Sequence, residues 1–434
     1  MLQKLERLIQ FSPDPEVVAR RLERLCADSA ALTEIKRLTP DLLRDFVSII
    51  STSNFLFHFV ARHPRTIALM GQFSTPADAD TTAITDCNAL RHYKYSELLK
   101  ITWMDVSQTC DYELVLKALS DLAETIVRRA MRLVLKDEDH ALMQRSLAVM
   151  ALGKLGAAEL NFSSDIDLVF ICVNADAHTG DYQVLQGMLI EAIRRMNGSL
   201  EEITAEGFLY RVDLKLRPWG SSGPMVMAID DTEHYYEASS EPWERFAWLR
   251  ARCIAGSTAL GADMTQRMRP FVFMRSLSTD DLARFVEIKN DMGKARKRKG
   301  YWNVKVGEGG IRDIEFFIQM LQVVNASRHD VLQTTNTLET LAGLGRSGLI
   351  THEDEQQLQR AYLFLRRLEN RLQMIDERQT HDLPDTREQR LRLARSLTSG
   401  GDSDDEILGN FERELFIHQS VAKRFFDRIL PGVN

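Results

Sequence analysis

Cysteine is scarce in this 434-residue chain and poorly placed for structural use: Cys26, Cys87, Cys110, Cys172 and Cys253 are scattered, with no C-x-x-C pair. An odd, dispersed set excludes a disulfide framework and a zinc ribbon and fits a reducing compartment. Proline (11) and glycine (23) are too few for an all-β chain, which needs a turn roughly every ten residues. No stretch approaches the roughly 18 uncharged apolar residues that span a bilayer. The charged, amphipathic start Met1-Leu2-Gln3-Lys4-Leu5-Glu6-Arg7 contains no apolar signal core. Excess positive charge is also lacking: 55 basic against 62 acidic residues leave a net charge of −7, so no global field favours nucleic acid. The ten histidines form no H-x-x-x-H or H-E-x-x-H pair, which argues against a zinc enzyme. The expectation is a cytoplasmic protein with neither a nucleic-acid nor a membrane partner.

What is present is an ordinary globular composition, 44% hydrophobic and 27% charged. Residues 1–140 read as an N-terminal helical region, with helical spacing through Val17–Leu25 and Asp41–Val47, a loop at Thr75–Asp80 and a long helix over Leu114–Leu135. Residues 141–278 change period. Ser146–Leu152 is a short apolar run ended by Gly153, as a buried strand would be, and Ile166–Cys172 is a second, broken only by Asp167. Val184–Ile203 is helical, and Gly207–Leu216 alternates as a third strand, with Arg211, Asp213, Lys215 and Arg217 on one face. Residues 279–434 return to helices. Ala361, Leu365, Leu368, Leu372 and Ile375 form a bundle seam that leaves Arg366, Arg367, Glu369 and Arg371 off it, and Ser399–Asp405 is a surface loop. The fold class is α+β: a mixed sheet flanked by N-terminal helices and a C-terminal helical bundle.

The chemistry concentrates in Gly153-Lys154-Leu155-Gly156 and Ser163-Ser164-Asp165-Ile166-Asp167. Asp165 and Asp167 are two apart on a strand, so both carboxylates project from one face. A bare D-x-D also suits a solvated strand face. Here it follows a glycine turn, enters an apolar strand, and is joined by Asp213 on a later one. Paired carboxylates repel unless a cation lies between them, and Mg²⁺ takes one or two carboxylates together with phosphate oxygens. Gly153 and Gly156 allow backbone to approach phosphate, with Lys154 neutralising charge. Three acids with neighbouring arginines suit phosphoryl or nucleotidyl transfer.

This arrangement resembles the nucleotidyltransferase superfamily (DNA polymerase β-like), with Lys154 where serine or glycine is common. A closer resemblance is to the bifunctional glutamine synthetase adenylyltransferase/adenylyl-removing enzymes. It is carried by Gly153–Gly156, Glu159-Leu160-Asn161, Ser163–Leu168, Tyr210–Gly220 with Ser222-Gly223-Pro224, Asn303–Phe316 and Tyr362–Asn370. That family carries two nucleotidyltransferase halves and only one is found here. Glu-Leu-Asn, Ser-Ser-Asp-Ile-Asp and Gly-Gly-Ile-Arg resemble the N-terminal, adenylyl-removing half, which Met1 and the helical leader also suit. The resemblance implies phosphorolysis: inorganic phosphate removes AMP from a tyrosine of adenylylated glutamine synthetase and ADP is released. It implies Mg²⁺ at Asp165, Asp167 and Asp213, and nucleotide or phosphate contacts from Gly153, Lys154, Gly156, Ser163, Ser164, Arg211, Arg217 and Arg312. The implied regulator is the PII signal protein in its uridylylated form. Two alternatives stay open: adenylyl transfer from ATP at the same site, and a silent PII-docking half. Ala157 replaces a second family glycine, so the loop geometry is expected to differ slightly.

Three weaker features complete the reading. The basic run Lys294–Gly300 is either a solvated helix end or a phosphate or acidic-partner contact. Gly307–Gly310 before Arg312, Asp313 and Glu315 is either a structural turn or brings those side chains to the nucleotide and metal. Trp243, Trp248, Tyr235 and Tyr236 are expected to pack on the sheet rather than stack on a base.

Overall fold

Strand β1 (Leu147–Ala151) is apolar throughout because it is buried on both faces: Leu147, Val149 and Ala151 enter one core, Ala148 and Met150 another. The computed structural model describes residues 2–174, 182–274, 302–397 and 403–429, with Arg284 and Glu287. Strand β2 (Ile166–Cys172) runs antiparallel to β1, pairing Leu147 with Cys172 and Ala151 with Leu168. The other edge of β2 is shared by two short parallel strands: β3 (Val212–Asp213) pairs with Ile166 and Asp167, and β4 (Val226–Ala228) with Phe170–Cys172. Strand β5 (Arg252–Gly256) closes the far side of β1, antiparallel. The sheet is therefore mixed.

Eight helices precede it: α1 (Leu2–Gln10), α2 (Pro15–Ala27), α3 (Ser29–Arg37), α4 (Pro40–Thr52), α5 (Asn54–Arg62), α6 (Cys87–Ser107), α7 (Tyr112–Val134) and α8 (Asp137–Ser146). Local chemistry starts them. Asp14 and Thr39 cap α2 and α4 ahead of a first-turn proline, and Asp86 accepts two amides at the head of α6. These helices share one hydrophobic core with the Leu147/Val149/Ala151 face of the sheet. The sheet module adds α9 (Gly153–Gly156), α10 (Tyr182–Glu201), α11 (Ile229–Ala238), α12 (Pro242–Trp248) and α13 (Thr258–Arg269). Residues from α11 to α13 cover the opposite face, against Ala148, Met150, Val169 and Ile171. A third core belongs to the C-terminal helices α14 (Ile311–Asn325), α15 (Thr337–Arg346), α16 (His352–Met374), α17 (Arg387–Leu397) and α18 (Asp404–Arg428).

Two expectations change. The third strand shrinks from Gly207–Leu216 to Val212–Asp213. Leu209 and Tyr210 both donate backbone amides to the Leu200 carbonyl, and the Asp213 carboxylate accepts the Lys215 amide at 2.8 Å, turning the chain out of the sheet. The seam of α16 buries Ala361, Leu365, Leu368 and Leu372 as its spacing indicates, but Arg366, Glu369 and Arg371 are buried as well. The helix is enclosed by other elements, so its charged side is held by partners rather than by water. The Lys294–Gly300 run lies outside the described residues, as do residues 399–402 of the expected loop. Among the described residues no helix is long and apolar enough to cross a membrane.

Candidate active site

The acid pair sits at the head of β2. Ile166 and Leu168 enter the core shared with the N-terminal helices, so Asp165 and Asp167 leave on the opposite face, that of Val169 and Ile171. Parallel pairing sets Asp213 beside Asp167 in register. The three carboxylates share a face without meeting at a point. Asp165 accepts the Arg211 Nε–H at 2.5 Å, Asp213 pairs with Lys215 at 3.1 Å, and no ready-made metal-binding cluster exists among the described residues. Both pairs are exposed enough for solvent to screen them, so either acid is readily released to a stronger cation.

Asp167 is the constrained member. Burial first, then Asp213, pushes its carboxyl up to about 6, with Asp165 adding to the shift and Lys305 and Lys154 opposing it. Gly153 leaves it room: its φ is +57°, and a Cβ there would lie 2.2 Å from Asp167 Oδ2. We expect Gly153→Ala to displace that carboxylate and lower turnover by about 100-fold, the scale of a 1 Å misplacement in a site. Steady-state kinetics beside a thermal melt checks this; unchanged turnover in a folded variant would show that the close approach is unimportant.

Helix α16 grips the loop that delivers these acids. Tyr362, Arg366, Glu369, Asn370 and Gln373 lie along one side of it. The Tyr362 hydroxyl donates to Glu159 at 2.8 Å, and Arg366 donates to Asn161 Oδ1 and to the Glu159 carbonyl. Asn370 accepts the Phe162 amide at 2.8 Å and Gln373 the Ser163 amide at 3.0 Å. Glu369 takes both carboxylate oxygens to Lys154 Nζ, at 3.0 and 2.8 Å, with His381 Nδ1 2.7 Å away. Glu159 is fixed from another side by the Thr337 amide at 2.6 Å. The polar side of α16 thus holds the polar groups of Lys154–Ser163.

Burial alone would raise the Glu369 carboxyl. Lys154, the His381 hydrogen bond and Arg366 more than offset it and hold it well below its ordinary value. A depressed carboxyl contributes stability that is fully present above about pH 4.5 and is lost as pH falls through its folded value. Urea unfolding followed downward from pH 6 should therefore lose less stability in Glu369→Gln than in the parent chain. Parallel curves would contradict the depressed value.

Several side chains expected at phosphate have protein partners in the structure. Lys154, pulled down to about 8 by burial against the opposing pull of Glu369, has its ammonium on that glutamate. Ser163 Oγ donates to the Glu377 carbonyl, and Ser164 Oγ accepts the Asn161 amide. Arg217 donates to the carbonyls of Leu214, Ser221 and Gly223, bracing its own loop. Gly156 is required by packing, since a Cβ would lie 1.8 Å from the Arg250 carbonyl. Ala157 is in an ordinary right-handed turn (φ −74°), which needs no glycine. Asp313 accepts the Gly309 amide at 2.8 Å and Glu315 pairs with Arg250 at 3.3 Å, so neither joins the three acids. Arg312 is exposed, and its guanidinium makes no hydrogen bond or ion pair among the described residues. Two residues were not singled out from the sequence, Glu369 and Lys305. The signal for Glu369 was a run of charged residues too dense for a solvated helix side, and for Lys305 its place in the block that carries Arg312.

The family described as glutamate-ammonia ligase adenylyltransferase matches residues 19–267, and that described as GlnD PII-uridylyltransferase matches residues 284–430. The chain is similar to bifunctional glutamine synthetase adenylyltransferase/adenylyl-removing enzymes. With that of Thioalkalivibrio sulfidiphilus it is 38% identical over 354 residues, 79% of this chain and 36% of the relative. With that of Stenotrophomonas maltophilia it is 35% identical over 400 residues, 87% and 42%. With that of Pseudomonas syringae pv. tomato it is 31% identical over 404 residues, 90% and 40%. The chain thus spans about two fifths of the length of these relatives. Since the first match takes in more than half of the chain and all three acids, the chain belongs to the glutamate-ammonia ligase adenylyltransferase family.

Proposed function

We propose that the chain removes AMP from an adenylylated tyrosine of glutamine synthetase by Mg²⁺-dependent phosphorolysis. The observation that carries this is the acidic face itself: Asp167 and Asp213 in register, Asp165 two residues away, and Gly153 making room for the Asp167 carboxylate. Such crowded oxygen donors fit Mg²⁺, with Asp165, Asp167 and Asp213 as the residues that would hold it. When bound, the ion supplies a Lewis acid that neutralises charge on the transferring phosphoryl group and on the leaving tyrosinate. The chain's own residues position the reactants. The α16 contacts fix the Glu159–Ser163 approach to β2, Arg211 orients Asp165, and Arg312 offers an unengaged guanidinium to phosphate. In the reaction a phosphate oxygen bonds to the adenylyl phosphorus as the bond to the tyrosine oxygen breaks. The proton lost by phosphate is balanced by the one the tyrosinate gains, giving ADP and free tyrosine.

The adenylyl-removing direction rests on the sequence likeness of Glu159–Asp167 and Gly309–Arg312 to the N-terminal half of the family. Regulation by uridylylated PII is part of the proposal, supported by the likeness of residues 284–430 to a PII-uridylyltransferase. The test is adenylylated glutamine synthetase incubated with the chain, Mg²⁺ and uridylylated PII, with and without inorganic phosphate. ADP that appears only with phosphate supports the proposal. AMP transfer from ATP onto unmodified glutamine synthetase would establish the reverse reaction instead. No turnover in either direction would leave a docking role and overturn the catalytic reading.

A further inference from the structure

A cleft of about 530 Å³ begins at Gly153 and runs between α12 and α14. Its size is that of a small-molecule site. Arg312, Glu315, Phe316 and Gln319 line it from α14 at spacings of three, one and three, a single helical side. Trp243 and Phe246 line it from α12. Gly153, which bounds the cleft, is also the residue whose missing side chain makes room for the Asp167 carboxylate, so the cleft adjoins the acidic face at Gly153.

Its chemistry is specific. The Phe246 and Phe316 rings stack at 5.8 Å and 19°, forming a flat apolar wall. Trp243 is 43% exposed, whereas Trp248 on the same short helix is 3% exposed and packs into the core as expected. Glu315 is neutralised by Arg250, so it does not repel an anion. On α14 two polar side chains of the cleft are left without hydrogen bonds among the described residues: the Arg312 guanidinium and the Gln319 amide, two turns apart. A ligand suited to this surface is flat and apolar-faced, carries donors and acceptors on its edge, and has a phosphate at one end.

We infer that this cleft holds the nucleoside of an adenine nucleotide, whose base stacks on Trp243 and is read at its edge by Gln319, while Arg312 meets the phosphates next to the acids. On the N7 edge of the base, a glutamine amide can pair with the acceptor and amino donor of adenine, where guanine presents two acceptors. The inference rests on the functional reading above and adds to it the residues that select the base.

The test is calorimetric titration of the full chain with ADP and, separately, GDP in Mg²⁺, using Trp243→Ala, Gln319→Leu and Asp165→Asn variants checked by thermal melts. The expected result is tighter binding of ADP than of GDP by the parent chain. Trp243→Ala should lose about 5- to 100-fold in ADP affinity, the range for removing one stacking partner. Gln319→Leu should narrow the preference for ADP over GDP. Parent-like ADP affinity in Trp243→Ala would overturn the inference while leaving the proposed reaction standing. The same holds if Trp243→Ala only raises the KM for adenylylated glutamine synthetase, because the cleft would then receive the protein substrate. Phosphorolysis that persists in Asp165→Asn would overturn the functional reading itself, and absence of ADP binding to the parent chain would overturn both.

Discussion

Asp167→Asn should remove turnover while leaving the protein folded and no less stable. The asparagine keeps the shape of the side chain beside Gly153 but cannot bind a cation as an anion. Lewis-acid stabilisation of a phosphoryl group is worth several kcal/mol, and each 1.36 kcal/mol is tenfold in rate, so kcat should fall by about 10³ or more. Stability should move the other way. Asp167 faces Asp213 across the β2–β3 pair with its carboxyl raised to about 6, so an amide relieves repulsion. Like charges on paired strands cost about 0.2–1 kcal/mol, and a gain of that order is expected. Single-turnover ADP release and urea unfolding on the same preparation check both signs. Retained turnover, or a large loss of stability, would contradict the role given to this residue.

Glu369→Ala is the second large effect, and it is expected on stability first. Glu369 is fully buried between Lys154, Arg366 and His381. Deleting one member of a buried ionic group leaves the others uncompensated, which costs about 3–5 kcal/mol. The loop that carries Asp165 is anchored through the same helix by Asn161, Phe162 and Ser163, so activity should fall with stability. Adding Lys154→Met to an apolar Glu369→Leu background should recover part of the loss, because the pair is removed together. Urea unfolding of the three variants measures this. A Glu369→Ala chain as stable as its parent would mean the network is not a structural clamp.

How far the sequence carried the argument differs from element to element. Short apolar runs located β1 and β2, and the 3.6 period located α7, α10 and the α16 seam, because burial of both faces or of one decides those residues. The acid triplet was legible for the same reason: i, i+2 spacing on a strand fixes a shared face whatever surrounds it. The β3 strand was overextended because alternation does not register the Asp213–Lys215 turn, a side-chain-to-backbone contact only two residues long. The charged side of α16 was placed off the seam with no partner named, because single-helix periodicity carries no information about a partner 200 residues earlier in the chain. Lys154, Ser163 and Arg217 have residue types suited to phosphate, but their bonds go to Glu369 and to backbone carbonyls. Type and motif position identify candidates, and only packing shows which of them remain available.

Cation binding to the acidic face is the most direct test, because it needs no protein substrate and no regulator. Mn²⁺ favours the same hard oxygen ligands as Mg²⁺, and loss of its free spectrum on titration into the chain can be followed by electron paramagnetic resonance. The account predicts that the parent chain binds Mn²⁺, that Mg²⁺ competes for it, and that Asp165→Asn and Asp167→Asn each abolish or sharply weaken the binding. Equal Mn²⁺ binding by the parent chain and both variants would place the cation elsewhere and contradict the account.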